Sequence, residues 1–157
     1  MAQLPAEPTS KDVRKSIGLA QKAAASGEHE TATGHIVVAA MMAETALQRS
    51  FHTVSIGAPN EPKGSARHRS FLEQQYVATL QIAGDIFKTA GDEAAGNEVA
   101  NYLHAASYYS LLAKYRHGAL GEAAKRASGE CLKAADWLIG ELKGEKFEDA
   151  VALRMQH

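Results

Sequence analysis

Seven histidines, His29, His35, His52, His68, His104, His117 and His157, are the side chains of this sequence best suited to hold a metal or move a proton near neutral pH. A metal centre built on helices needs two ligands on one face, as Glu-x-x-His or His-x-x-x-His. Neither spacing occurs at any of the seven histidines. A di-iron carboxylate centre and a zincin are therefore not expected, and no metal ligand and no cofactor is assigned. The pairing of Arg and His across four to six intervening residues, used by helical ribonuclease and nucleotide-handling bundles, is missing as well: Arg49 precedes His52 by three positions and Arg67 precedes His68 by one. A phosphate loop needs a glycine-rich turn ending in Gly-Lys-Ser/Thr, which is absent. The Gly64-Ser65 and Ser128-Gly129 pairs have no strand before them and resemble no nucleophile elbow. No residue is assigned a catalytic role.

What remains chemically distinctive is aromatic. Four of the five tyrosines fall within residues 92–118. On a helical period, Ala95, Val99, Tyr102, Ala106, Tyr109 and Ala113 form one stripe, and Ala100, His104, Tyr108, Leu111 and Tyr115 form another on the far side. One apolar stripe suffices for a surface helix, so two opposed stripes predict a central helix covered from two directions. Tyrosine joins a large apolar body to a polar tip, which suits both buried helix contacts and recognition surfaces. The candidate ligand or partner surface is therefore Tyr102, Tyr109 and Arg116 on one stripe, or His104, Tyr108 and Tyr115 on the other. Glu44, at the margin of the apolar stripe of an earlier helix, is added because a carboxylate there needs a partner or a raised pKa. Each has a plain structural reading too: the phenols as hydrogen-bonded core, His104 as a core histidine, Glu44 as leaning to solvent. Cys131, in an apolar stripe, is expected to pack rather than react.

The elements that must position these residues follow from composition and punctuation. A length of 157 residues suits one domain with a real core, and 45% hydrophobic with 22% charged residues argues against disorder. The 17 basic against 18 acidic residues give a formal charge of −1, so bulk electrostatics draw the chain toward neither nucleic acid nor an acidic membrane. One cysteine forbids an internal disulfide and points to a reducing compartment. With no secretory pattern at the start and a longest apolar run far short of the ~20 residues that span a bilayer, the expectation is a cytoplasmic protein.

Along the chain, Pro5 and Pro8 mark residues 1–8 as a flexible tail, and residues 9–157 read as a single helical domain. Thr9-Ser10-Lys11-Asp12 fits a capping box ahead of Val13, Ile17, Ala20 and Ala24, and Gly27 is expected to stop that first helix. A second helix carries Ile36, Ala40, Ala43, Leu47, Phe51 and Val54, with a secondary patch of Val38, Met41 and Met42. Residues 55–66, with Pro59 and Pro62, form a connector, functional or merely topological. The third helix turns Leu72, Tyr76, Thr79, Ala83, Ile86, Phe87 and Ala90 inward, and Gly91-Asp92 reads as a stop followed by an N-cap. The fifth, over 119–142, aligns Leu120, Ala124, Ala127, Cys131, Ala135, Leu138 and Leu142 before a break at Lys143-Gly144 and a last short helix around Phe147. The expected fold is all-α: an up-and-down bundle of four long helices with a shorter helix at each end. A faint tetratricopeptide-like look in residues 83–106 lacks both the 34-residue period and the repeated Trp-Leu-Gly positions. The expected function is non-catalytic, through a protein partner or self-association as a homodimer. The alternative is a small-molecule-binding bundle or an enzyme with a Tyr/His-lined pocket.

Overall fold

The computed structural model describes residues 9–55 and 65–155, with side chains for 9–51 and 66–142. The expected tail and nearly all of the proline-rich connector lie outside the described residues. The described residues form five helices: α1 (Ser10–Ala25), α2 (His29–Ser55), α3 (Ser65–Asp92), α4 (Glu98–Tyr115) and α5 (Gly118–Met155). Described residues contain no strand, and the all-α bundle stands.

Helix ends obey local chemistry. Thr9 caps α1 reciprocally: its hydroxyl accepts from the Asp12 amide at 3.3 Å while its own amide donates to the Asp12 carboxylate at 2.8 Å. Those bonds to Thr9 hold the Asp12 carboxyl below its ordinary pKa. Gly27 sits at φ +76°, and the amides of Gly27 and Glu28 reach back to the carbonyls of Ala24 and Ala23, the Schellman closure expected there. The α3–α4 turn differs from expectation. Gly91 and Asp92 belong to α3, the left-handed position falls on Ala94 (φ 54°), and Asn97 caps α4 by accepting from the Ala100 amide at 3.0 Å. Gly91 is there for a different reason, given below.

At the far end, α5 is a single helix of 38 residues that runs through Lys143-Gly144, so the separate short C-terminal helix is corrected to a continuation of α5. One glycine costs a helix only about 1 kcal/mol. The residues after it, Glu145 to Leu153, contain no proline and many helix formers.

The helices pack in chain order. α1 lies on α2, α2 on α3, α3 on α4 and α4 on α5, with a small contact between α1 and α3. The bundle is thus open, each helix resting on its chain neighbours as in a stacked array. α4 is flanked by α3 and α5, so it is covered from two directions, although both of its aromatic stripes turn toward α3. All seven expected core residues of α3 are buried, as are Ile36, Ala40, Ala43 and Leu47 of α2. Phe51 of α2 is half exposed, and Leu120 of α5 is exposed, because each lies near the end of its helix. In the secondary patch of α2, Met42 is covered and Met41 is not.

Candidate functional site

Two glycines of α3 let α4 approach closely. A Cβ on Gly84 would lie 2.6 Å from the ring of Tyr109, and one on Gly91 would lie 2.9 Å from the ring of Tyr102. Each ring rests on bare backbone, and each phenol reaches the residue after its glycine. Tyr109 donates to Asp85 at 2.5 Å, and Tyr102 donates to Asp92 at 2.7 Å. Both spacings are seven residues, two turns of helix, so Gly84-Asp85 and Gly91-Asp92 on α3 match Tyr109 and Tyr102 on antiparallel α4. Lys88, between the two acids, pairs with Asp92 at 3.0 Å.

Electrostatics follow from these contacts. Burial, then the bond to Asp92, pushes Tyr102 up to about 12. Burial and the bond to Asp85 raise Tyr109 further. Burial opposes ionisation of Asp92, yet the hydrogen bonds from Tyr102 and Lys88 prevail and keep its carboxyl below the usual range. The bond to Asp92 raises Lys88. Cys131 is buried behind this row, and burial raises its thiol pKa, the direction that makes a thiol inert.

The second stripe also meets α3, rather than a separate neighbour on the far side. Phe87 stacks on Tyr108 with centroids 5.7 Å apart and touches His104 at 5.0 Å. Tyr115 meets Tyr76 edge-on at 5.5 Å. His104 itself is exposed. Glu44 is exposed on α2 and accepts from Gln48 at 3.2 Å, as the solvent-leaning reading expects. Its charge still reaches across the seam. Burial first and Glu44 second push Tyr76 up to about 12 and also raise Tyr108. Glu44, His104, Tyr108 and Tyr115 therefore gather along one seam, whereas Tyr102 and Tyr109 occupy another. Arg116 is the residue that ends α4, its amide donating to the Leu112 carbonyl.

Concavities lie elsewhere among the described residues. At one end of the bundle a cleft of about 330 Å³ is lined by His29, Glu30, Thr33, Asn97 and Asn101. Its polar groups largely serve their own backbone: Thr33 donates to the Glu30 carbonyl, Asn97 caps α4, and Asn101 donates to the Ala95 carbonyl at 2.6 Å. Between α4 and α5 runs a shallow groove of about 480 Å³ whose walls carry Leu103, Leu111 and Leu132. Its floor is set by Ser128, which bonds to Ser110 at 2.8 Å and donates to the Ala106 carbonyl at 3.0 Å.

Sequence reasoning missed two features. The heptad repeat of Gly-Asp facing a heptad repeat of Tyr was a readable signal, although only Gly84 lies in the interior of its helix and Gly91 falls one residue before the end of α3. Trp137 was passed over because it lies off the apolar stripe of α5, and it proves to be 65% exposed. Among the described residues no three His, Cys, Asp or Glu side chains cluster so as to hold a metal, and no helix is long and apolar enough to cross a membrane. No family model matches the chain, and no curated protein or solved structure matches it.

Proposed function

We propose that this chain is an association module that works by binding protein, itself or another, rather than by catalysis. The observation that carries this reading is the uncovered side of α5. Among the described residues that helix has one substantial helix neighbour, α4, and its opposite face bears the exposed Trp137. A large exposed aromatic is characteristic of contact surfaces, where tryptophan is enriched among the residues that dominate binding. The chemically versatile side chains support the same reading by being occupied. Tyr102 and Tyr109 are committed to Asp92 and Asp85, and Cys131 is buried with its thiol pKa raised. A reducing, cytoplasmic setting suits that free thiol. Light scattering across a wide concentration range tests the reading. A mass rising above the 16.7 kDa of one chain is expected. A strict monomer that also retains no protein partner would leave the reading without support.

A second reading rests on the seam where Glu44 of α2 lies close enough to Tyr76 and Tyr108 to influence both phenols. A small-molecule ligand seated there would rest on His104, Tyr108 and Tyr115. Replacing His104 with Ala should then abolish calorimetrically measured binding of such a ligand and leave the unfolding midpoint unchanged, because His104 is exposed. A large loss of stability instead would make the ring a packing element only.

A further inference from the structure

An open stack of helices has two end faces, and here they differ. The outer side of α1 is finished by exposed Lys11, Arg14, Lys15 and Lys22, a solvated cap. α5 ends the other side with a long helix whose middle residue is the chain's single tryptophan. Since Ser128 meets Ser110 and Ala106, and Leu132 shares a groove with Leu103, α5 runs antiparallel to α4. In that register α5 passes the first turn of α4 near Trp137, and residues 138–155 continue for roughly 27 Å at helical rise. Buried positions agree: Gly121, Ala124, Ser128, Cys131 and Ala135 are covered, and none follows from Asp136 to Leu142.

The outer face is self-complementary about its centre. Lys133, Trp137 and Glu141 are spaced by four residues, share one side of α5 and are all exposed. Lys133 and Glu141 make no ion pair among the described residues. Farther out, Arg126 and Glu148 are equally distant from Trp137 along the chain. In an isologous contact every residue i that meets j is repaid by j meeting i. A basic residue on one side of the centre and an acidic one at the same distance on the other is the pattern such symmetry requires.

We propose that two copies of this chain associate through the outer faces of α5, antiparallel about a two-fold axis beside Trp137, with Lys133 of each copy meeting the partner's Glu141. The two indoles meet at the centre. The antiparallel register sets the second half of each α5 beside the first half of the other. This proposal rests on the association reading above and adds its partner and register.

The test is a charge exchange in the full chain, read by sedimentation equilibrium. Lys133→Glu places like charges at both symmetric contacts and should weaken dimerisation about tenfold. Lys133→Glu combined with Glu141→Lys restores opposite charges and should return the wild-type dissociation constant. Both residues are exposed, so the far-ultraviolet circular dichroism and unfolding midpoint of the variants report that the fold is kept. A wild-type dimer indifferent to Lys133→Glu, or a loss that the double exchange does not repair, overturns this register and leaves association through another face standing. A wild-type chain monomeric at every concentration, with no protein partner, overturns both.

Discussion

Replacing Gly84 with Ala tests the interlock of α3 and α4 at its tightest point. The added methyl carbon would sit 2.6 Å from Cε1 of Tyr109 and 2.8 Å from its neighbours Cδ1 and Cζ, well inside van der Waals contact. The ring cannot easily move aside, because it is 3% exposed and its hydroxyl is tied to Asp85 at 2.5 Å. Overpacking of this kind costs roughly 1 to 3 kcal/mol. Against it stands the gain of about 1 kcal/mol when alanine replaces glycine within a helix. The net expectation is a loss of about 0 to 2 kcal/mol, toward the upper end because the ring is held in place. Gly91→Ala meets the less buried Tyr102 at 2.9 Å. Its ring can yield, so the two effects should nearly cancel, within about 0.5 kcal/mol of wild type. The decisive control is Gly84→Ala made in a Tyr109→Ala background. With the ring gone, the same methyl should stabilise by about 1 kcal/mol, a change of sign that measures the coupling directly. Urea unfolding followed by circular dichroism, at one fixed protein concentration because association shifts apparent stability, reads all four variants. A Gly84→Ala chain at least as stable as wild type would refute the interlock.

Three other outcomes are expected. Ala94 holds a left-handed φ of 54° where its Cβ is strained, so Ala94→Gly should raise stability by about 0.5 to 1 kcal/mol in the same assay, against the usual direction for alanine to glycine. Between pH 10 and about 12 the unfolded chain has lost phenolic protons that Tyr76 and Tyr102 still hold in the fold, so unfolding is favoured as pH rises through that window. Their stabilising contribution is complete below pH 10, and phenolate absorbance should rise late, together with the loss of helicity; five tyrosines titrating near pH 10 with helices intact would contradict it. Buried Cys131 should react with an aromatic disulfide reagent only as the chain unfolds, and rapid labelling of the native protein would show that the thiol is open.

Periodicity revealed the core of α3 from Leu72 to Ala90, and side-chain chemistry placed the Thr9 cap and the Gly27 stop, because these are local properties. Gly91 shows where local signals run out. A glycine near the end of an apolar stripe can terminate a helix or admit a neighbour, and only Tyr102, eleven residues on, decides between them. Ala94 takes the terminating role despite its Cβ. Gly144 is the same ambiguity at α5, resolved by the helix formers that follow it. The two stripes of α4 were legible as a sign of cover, but not that His104, Tyr108 and Tyr115 lean on α3 through Phe87 and Tyr76. A helical wheel gives the direction of a side chain and not the identity of its neighbour. Trp137 stood outside every apolar stripe, so a search for core residues passed it by. Its position on an end helix gives it meaning, and that position depends on the order in which the helices stack.

If the outer face of α5 meets a second copy at Trp137 as proposed, the indole reports on this without labelling, as the only tryptophan in the chain. Its fluorescence should be recorded across a dilution series together with quenching by acrylamide. Emission is expected to shift to shorter wavelength and quenching to fall as the weight-average mass rises toward two chains. Emission and quenching characteristic of an open indole at every concentration, with the mass at two chains or not, would contradict it.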